Sequence, residues 1–127
     1  MTGALLKNTS NDLANVDVRT KGVLKRALIV SKSGRRLAGP HTDKEDFGLI
    51  IGIHPAGHPG KKWIACAGLG EYGTSGAAYF LANYWKDIAD KVMDTGHFAC
   101  IVRVPDGDDS GAHLHRFALP NGRWSSR

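Results

Sequence analysis

The chain has 127 residues, a formal net charge of +5 at neutral pH and an apolar fraction of 42%. This length and composition are typical of one folded domain with its own hydrophobic core rather than of a disordered chain. No apolar run approaches the roughly 18 residues of a membrane-spanning helix, and residues 1–12 lack the apolar segment of a signal peptide. We therefore expect a cytoplasmic protein without a membrane partner.

Residues 1–20 are polar and have few apolar side chains to bury, and we interpret them as a loosely ordered arm. A single α/β domain is predicted to follow over residues 21–127, with its first strand at Val23–Ser31. Basic residues between positions 21 and 36 have no acidic residue among them, which favours acidic partners such as nucleotides or nucleic acid. The alternative is that they form a solvated face without a partner. No nucleic-acid-binding motif accompanies this stretch.

Two apolar runs of strand length, Phe47–His54 and Lys62–Leu69, are predicted to be buried strands. The loop between them is short and rich in proline and glycine, so we expect an antiparallel hairpin. A third buried strand is predicted at His97–Val104, and the alternating run Ala112–Leu119 predicts a half-exposed last strand. Residues 120–127 are interpreted as a tail.

A long helix is predicted over about residues 75–94, with Thr74 or Ser75 as its N-cap, because apolar side chains recur there at helical spacing. A strand, a helix and a strand in succession suit a right-handed parallel crossover, so we expect Lys62–Leu69 to lie beside Phe98–Val104 in the sheet. The expected fold class is therefore α/β: a single two-layer or three-layer domain with a mixed sheet of about five strands and one long helix after a glycine-rich loop. One helix covers one face only, so the other face needs the N-terminal arm or a second subunit, and we expect a homodimer.

The glycine-rich loop before this helix carries the strongest functional signal, a Rossmann-like Gly-x-Gly-x-x-Gly. Glycines allow close backbone approach, and the first N–H groups of a helix are unpaired at the positive end of its dipole. We predict a binding or sensing module for a nucleotide-like or other anionic small molecule. The alternative is that the glycines only allow tight packing of strand and helix. The predicted ligand-binding residues are Gly68, Gly70, Glu71, Tyr72, Gly73, Thr74 and Ser75.

A complete Rossmann dehydrogenase is excluded, because at least two strands precede the loop and too little chain follows it. No cofactor is expected. Glu71 is the ionisable residue of the loop and the candidate general acid or base of an alternative reading, a small hydrolase or transferase acting on the same ligand class. A second alternative is a basic nucleic-acid or protein-interaction module.

Histidines occur in two close pairs, His54 with His58 and His113 with His115. Such pairs suit transition metals or acid–base chemistry, but no third ligand has the spacing of a known zinc motif, so no metal site is predicted. The second pair alternates along the last predicted strand and should share one face.

A hairpin in the middle of the chain is flanked by these motifs: Asp46-Phe47-Gly48-Leu49-Ile50-Ile51, Ala67-Gly68-Leu69-Gly70, Gly73-Thr74, Ala77-Ala78 and Leu81. The stretch from residue 46 to residue 104 resembles a group of small prokaryotic α/β domains with the pattern DYGLI…AGxxxxGTxAAxxL. The resemblance implies an α/β fold and no particular activity. Members of the group carry a Gly-Gly-Pro-type loop on the first strand, whereas this chain has Ser31-Lys32-Ser33-Gly34 there and Gly39-Pro40 later.

Overall fold

The computed structural model describes residues 14–21, 24–53, 63–92, 98–105, 107–118 and 124–126. These residues form eight strands, one long helix and a single turn of 3₁₀ helix at Asp109–Gly111. The strands are β1 (Ala14–Lys21), β2 (Leu24–Ser31), β3 (Arg36–Ala38), β4 (Glu45–Ile53), β5 (Trp63–Gly68), β6 (Phe98–Pro105), β7 (His113–Ala118) and β8 (Trp124–Ser126). The helix, α1, spans Glu71–Val92 between β5 and β6.

The strands form two sheets in which every pairing is antiparallel. One sheet has three strands in the order β1-β2-β3, and the other has five in the order β5-β4-β6-β7-β8. The predicted hairpin between β4 and β5 is confirmed. The predicted tail contains the short edge strand β8, which pairs with β7.

The neighbour predicted for β6 is wrong. Both β5 and β6 pair antiparallel with β4, and Gly48 of β4 lies opposite Gly68 on one side and Val102 on the other. β5 and β6 therefore run in the same direction, as a strand–helix–strand crossover requires, but β4 lies between them. The strand β4 is apolar along almost its whole length, because α1 buries one of its faces and the three-stranded sheet buries the other.

The molecule has three layers, with α1 on one face of the five-stranded sheet and the three-stranded sheet on the other. The α/β character is as predicted, but the strands are more numerous and the sheets are antiparallel rather than mixed. The core under the helix contains Ile50, Ala77, Phe80, Phe98, Cys100, Val102, Val104, Ala112 and Leu114. The core between the sheets contains Ala14, Ile29, Leu37, Ala38, Phe47, Leu49, Ile51, Ala65, Ala67, Ala99, Ile101 and Ala118.

The second face of the large sheet is covered by the chain itself. Residues 14–21 pair along their whole length with β2, and Ala14 is 1% exposed in the core between the sheets. The boundary predicted between residues 20 and 21 therefore falls inside a strand of this layer. A second subunit is therefore not needed to cover this face of the sheet, and the homodimer stays a prediction.

The helix α1 begins at Glu71, four residues before the predicted start, and is kinked at Tyr84, where φ is −127° and ψ is 24°. The side-chain amide of Asn83 donates a 2.9 Å hydrogen bond to the carbonyl of Tyr79, which its own backbone N–H would otherwise use. A side chain that competes for the carbonyl four residues back is a known cause of helix bending. No helix within the described ranges is long and apolar enough to cross a membrane.

Candidate functional site

The glycines of the predicted loop bring the start of α1 against the backbone of β4. A Cβ atom at Gly73 would overlap the carbonyl oxygen of Phe47, and one at Gly48 would overlap the carbonyl of Gly73 itself. A Cβ atom at Gly68 would overlap the backbone nitrogen of Thr74. Only glycine allows two backbones to approach this closely. These glycines therefore allow tight packing of strand and helix.

The first turn of α1 is capped by the carboxylate of Asp46, which is 5% exposed at the start of β4. Its Oδ1 accepts hydrogen bonds from the N–H groups of Phe47 and Gly70, at 2.8 and 3.1 Å. Its Oδ2 accepts a 2.7 Å hydrogen bond from the N–H of Gly73. Two N–H groups at the helix start, which an anionic ligand would need, are thus bonded to the protein's own anion.

The predicted N-cap at Thr74 or Ser75 is wrong. The N–H of Thr74 donates to the carbonyl of Gly70, at 3.3 Å, so the helical hydrogen bonds begin at Gly70. The hydroxyls of Thr74 and Ser75 donate to the carbonyls of Gly70 and Tyr72, at 3.4 and 3.5 Å, and cap nothing. Glycine has no side chain to accept from the third helical N–H, and Asp46 supplies that acceptor from the neighbouring strand.

An open cleft of about 490 Å³ lies beside the capped helix start. One wall is the turn before β4, which is fixed because the Thr42 hydroxyl oxygen accepts from the N–H groups of Lys44 and Glu45, at 3.1 and 3.2 Å. The opposite wall is the first turn of α1. The lining residues are His41, Thr42, Asp43, Glu45, Asp46, Gly70, Glu71 and Tyr72.

The cleft is acidic, although the whole chain is basic. Asp46 is committed to backbone N–H groups, and Glu45 forms an ion pair with Arg103. Asp43 and Glu71 are exposed carboxylates at its rim. A cleft lined in this way attracts positive charge and repels phosphate or carboxylate.

Of the seven predicted ligand-binding residues, the structure places Gly70, Glu71 and Tyr72 in the cleft. Tyr72 presents a side chain that is 40% exposed. Gly68 and Gly73 serve backbone packing instead. The remaining two, Thr74 and Ser75, are absent from the lining. Sequence reasoning missed Asp46, and its one signal was an acidic residue directly before the most apolar strand.

The His113/His115 pair lies in the first half of β7, on the face of the sheet opposite to α1. His115 is the extra residue of a bulge, because the register shifts between Ile101 and Val102 of β6. Its ring lies 5.5 Å from that of Phe47. The pKa of His115 is lowered, first by burial and then by the positive charges of its neighbours.

We expect the stability of the protein to fall as the pH is lowered through the range below 6.5, the ordinary pKa of histidine. Because its pKa is lowered in the folded state, His115 binds a proton less tightly there than in the unfolded chain, so acid favours unfolding. Urea denaturation on both sides of pH 6.5 measures this effect. His115→Gln should reduce the difference between the two pH values, and an unchanged difference in the variant would contradict the assignment.

The remaining predicted features contribute no site. His54 and His58 lie outside the described residues. Within the basic stretch, Lys32, Arg35 and Arg36 are exposed in and beside the turn after β2. Among the residues with described positions, no group of three or more His, Cys, Asp or Glu side chains is placed to hold a metal ion.

Fold and site together define a small three-layer α/β domain with an acidic cleft at a helix start that is capped from a neighbouring strand. No protein-family model matches this chain, and neither a curated protein nor a solved structure matches it.

Proposed function

We propose that the chain is a ligand-binding module whose cleft takes up a small molecule carrying a positive charge. The observation that supports this most is the hydrogen bonding of Asp46 to the N–H groups of Gly70 and Gly73. These bonds use two of the donors on which an anion would depend. The carboxylates of Asp43 and Glu71 beside them favour the opposite charge.

The cleft has the size and the mixed lining of a small-molecule site. Its volume of about 490 Å³ lies within the range of about 300–1,000 Å³ that is usual for ligand pockets. Tyr72 supplies an aromatic ring, and a cation over such a ring gains about 0.5–1 kcal/mol at an exposed site. Glu71 on the same helical turn supplies the compensating charge, and we therefore assign these two residues the main contacts with the ligand.

Calorimetric titration with arginine amide as the cationic probe tests the proposal, with AMP and inorganic phosphate as anionic probes. We expect saturable binding of the cation that weakens about fivefold in Glu71→Gln, since a charge pair in water contributes about 1 kcal/mol. Tyr72→Ala should weaken it about two- to fivefold through the lost ring, whereas Tyr72→Phe should retain binding.

The matched control is Asp109→Asn, which removes the same charge at an exposed position away from the cleft. It should leave the affinity unchanged. Binding that responds equally to Asp109→Asn and Glu71→Gln would reflect net charge alone and would contradict the site. Failure of arginine amide to bind would overturn the cationic assignment.

A nucleotide-like anion is the second candidate. One observation favours it: the N–H groups of Glu71 and Tyr72 have no hydrogen-bond partner within the described parts of the chain. Tighter binding of AMP than of arginine amide, lost in Tyr72→Ala, would establish this candidate. His41 lines the cleft together with Glu71, so the hydrolase or transferase alternative uses the same residues and requires turnover in addition to binding.

A further inference from the structure

Three side chains lie in one row across the five-stranded sheet, on the face that carries the three-stranded sheet. Phe47 of β4 is the register partner of Arg103 in β6, and Arg103 is the partner of His113 in β7. Directly opposed residues of antiparallel strands project on the same face with Cβ atoms about 4.5–5.5 Å apart. His115 joins the row from the bulge, since its ring contacts that of Phe47.

Arg116 adds a second guanidinium group to this row. It is the register partner of Ile101, which stands two residues before Arg103 on the same face of β6. Diagonal neighbours across two antiparallel strands are about 7–8 Å apart, within reach of long side chains. Arg103 and Arg116 therefore converge on the space beside His115, and both lower its pKa, after burial as the first cause.

One donor in this group is unused. The Nε atom of Arg116 is buried and has no hydrogen-bond partner among the described residues. A buried, unpartnered donor on a permanently charged group is costly, and an anion bound beside the Arg116 guanidinium would remove that cost. The Oε2 atom of Glu45 also has no hydrogen-bond partner among the described residues, but it is ion-paired with Arg103. Arg103 is half-exposed and has its Nε paired with Glu45, which leaves its terminal N–H groups as further donors.

We propose that Arg103, Arg116, His113 and His115 form a binding site for a small oxyanion, of the class of a terminal phosphate group. Two guanidinium groups and the carboxylate of Glu45 leave one net positive charge, and each histidine adds another when it is protonated. Arginine presents planar paired donors that match phosphate oxygens. This site shares Glu45 with the acidic cleft, but none of its four proposed ligand-binding residues lines that cleft, so the proposal does not rest on the function proposed for the cleft.

The proposed geometry also predicts how the pKa of His115 changes when the anion binds. The charged groups recorded around its ring are Arg116, Arg103, His113 and Glu45, and three of the four oppose its protonation. A bound dianion would offset the positive charges, so the pKa of His115 should rise on binding. Anion uptake at this site is therefore coupled to proton uptake, and affinity should increase as the pH falls through the histidine range.

Titration of the full chain with inorganic phosphate, followed by NMR of the histidine rings and by calorimetry, tests the proposal. We expect saturable shifts of the His115 ring signals and a rise in its pKa, neither reproduced by sodium chloride at equal ionic strength. Arg116→Gln should weaken phosphate binding by about tenfold or more, because a charge-assisted hydrogen bond to a dianion is lost.

Two control variants and a second variant within the site accompany Arg116→Gln. Arg35→Gln removes the same charge at an exposed turn and should leave the affinity unchanged. Arg103→Gln is a second site variant at a half-exposed residue, and it tests the proposal if Arg116→Gln does not fold. Glu71→Gln should not affect phosphate binding, which separates this site from the acidic cleft.

Equal phosphate affinity in the wild type and in folded variants of both arginines would overturn the proposal. So would shifts that chloride reproduces, or salt-sensitive binding of an oligonucleotide without binding of free phosphate.

Discussion

We expect Asp46→Asn to lower the free energy of unfolding by about 2–4 kcal/mol, a large part of the roughly 5–15 kcal/mol that holds a domain folded. The carboxylate accepts three backbone hydrogen bonds in a site that is 5% exposed. An asparagine keeps one acceptor oxygen, which can still serve Phe47 and Gly70. Its amide nitrogen then faces the N–H of Gly73, and two donors meet where a charge-assisted bond had been.

Urea denaturation measures this loss, and the dependence on urea should be unchanged because the same surface is exposed on unfolding. Hydrogen exchange of the Gly73 amide should accelerate more than that of amides in β4, since the first turn of α1 loses its cap. The matched control is Asp43→Asn, an exposed carboxylate three residues earlier, which should change stability by about 0.5 kcal/mol or less. Wild-type stability in Asp46→Asn would show that the cap contributes nothing.

The same carboxylate shows where sequence reasoning reaches its limit. Asp46 is separated by 24 residues from Gly70 and by 27 from Gly73. The residues around Asp46 and those around the glycines do not predict these hydrogen bonds. The bonds form only because the fold places β4 directly beneath the helix start. A sequence that shows a glycine-rich loop before a helix predicts free N–H groups, and only the topology reveals which acceptor already uses them.

The topology itself was only partly predictable, for a related reason. Apolar runs located β4, β5 and β6, and the short loop correctly predicted the antiparallel hairpin. Apolarity does not say which strand lies in the middle, and a strand–helix–strand passage is compatible with one strand between its ends. The strands β1 and β8 were not predicted, because their residues are mostly polar and show no apolar pattern typical of a strand. They are strands because they pair with β2 and β7.

The charge of the cleft could not be predicted from the sequence either, because the fold brings its carboxylates together from separate segments. Glu71 was predictable as the ionisable residue of the loop, but its neighbour Asp43 comes from the turn before β4. The cleft holds four carboxylates in a chain whose net charge is +5, and for this reason we propose a cationic ligand instead of the anionic one that the loop predicts. Net charge therefore says little about a particular site, since local arrangement decides the field that a ligand meets.

Gly73→Ala should destabilise the protein by about 3 kcal/mol or more, at or above the usual upper end for overpacking. The added Cβ atom would overlap the carbonyl oxygen of Phe47. That carbonyl cannot turn away freely, because it accepts a 3.1 Å hydrogen bond from the N–H of Leu69. If the helix start moves instead, the 2.7 Å bond from the Gly73 N–H to Asp46 is lost.

Helix propensity predicts the opposite sign, which makes the experiment decisive. Alanine is favoured over glycine inside a helix by about 1 kcal/mol, so propensity alone would make Gly73→Ala stabilising. The control Ala78→Gly measures that intrinsic difference at an exposed position of the same helix, where about 1 kcal/mol should be lost. Urea denaturation of both variants then separates the backbone contact from propensity. A Gly73→Ala variant as stable as the wild type, or more so, would mean that α1 and β4 can separate at little cost, and the capped helix start could not then be the rigid wall of the cleft.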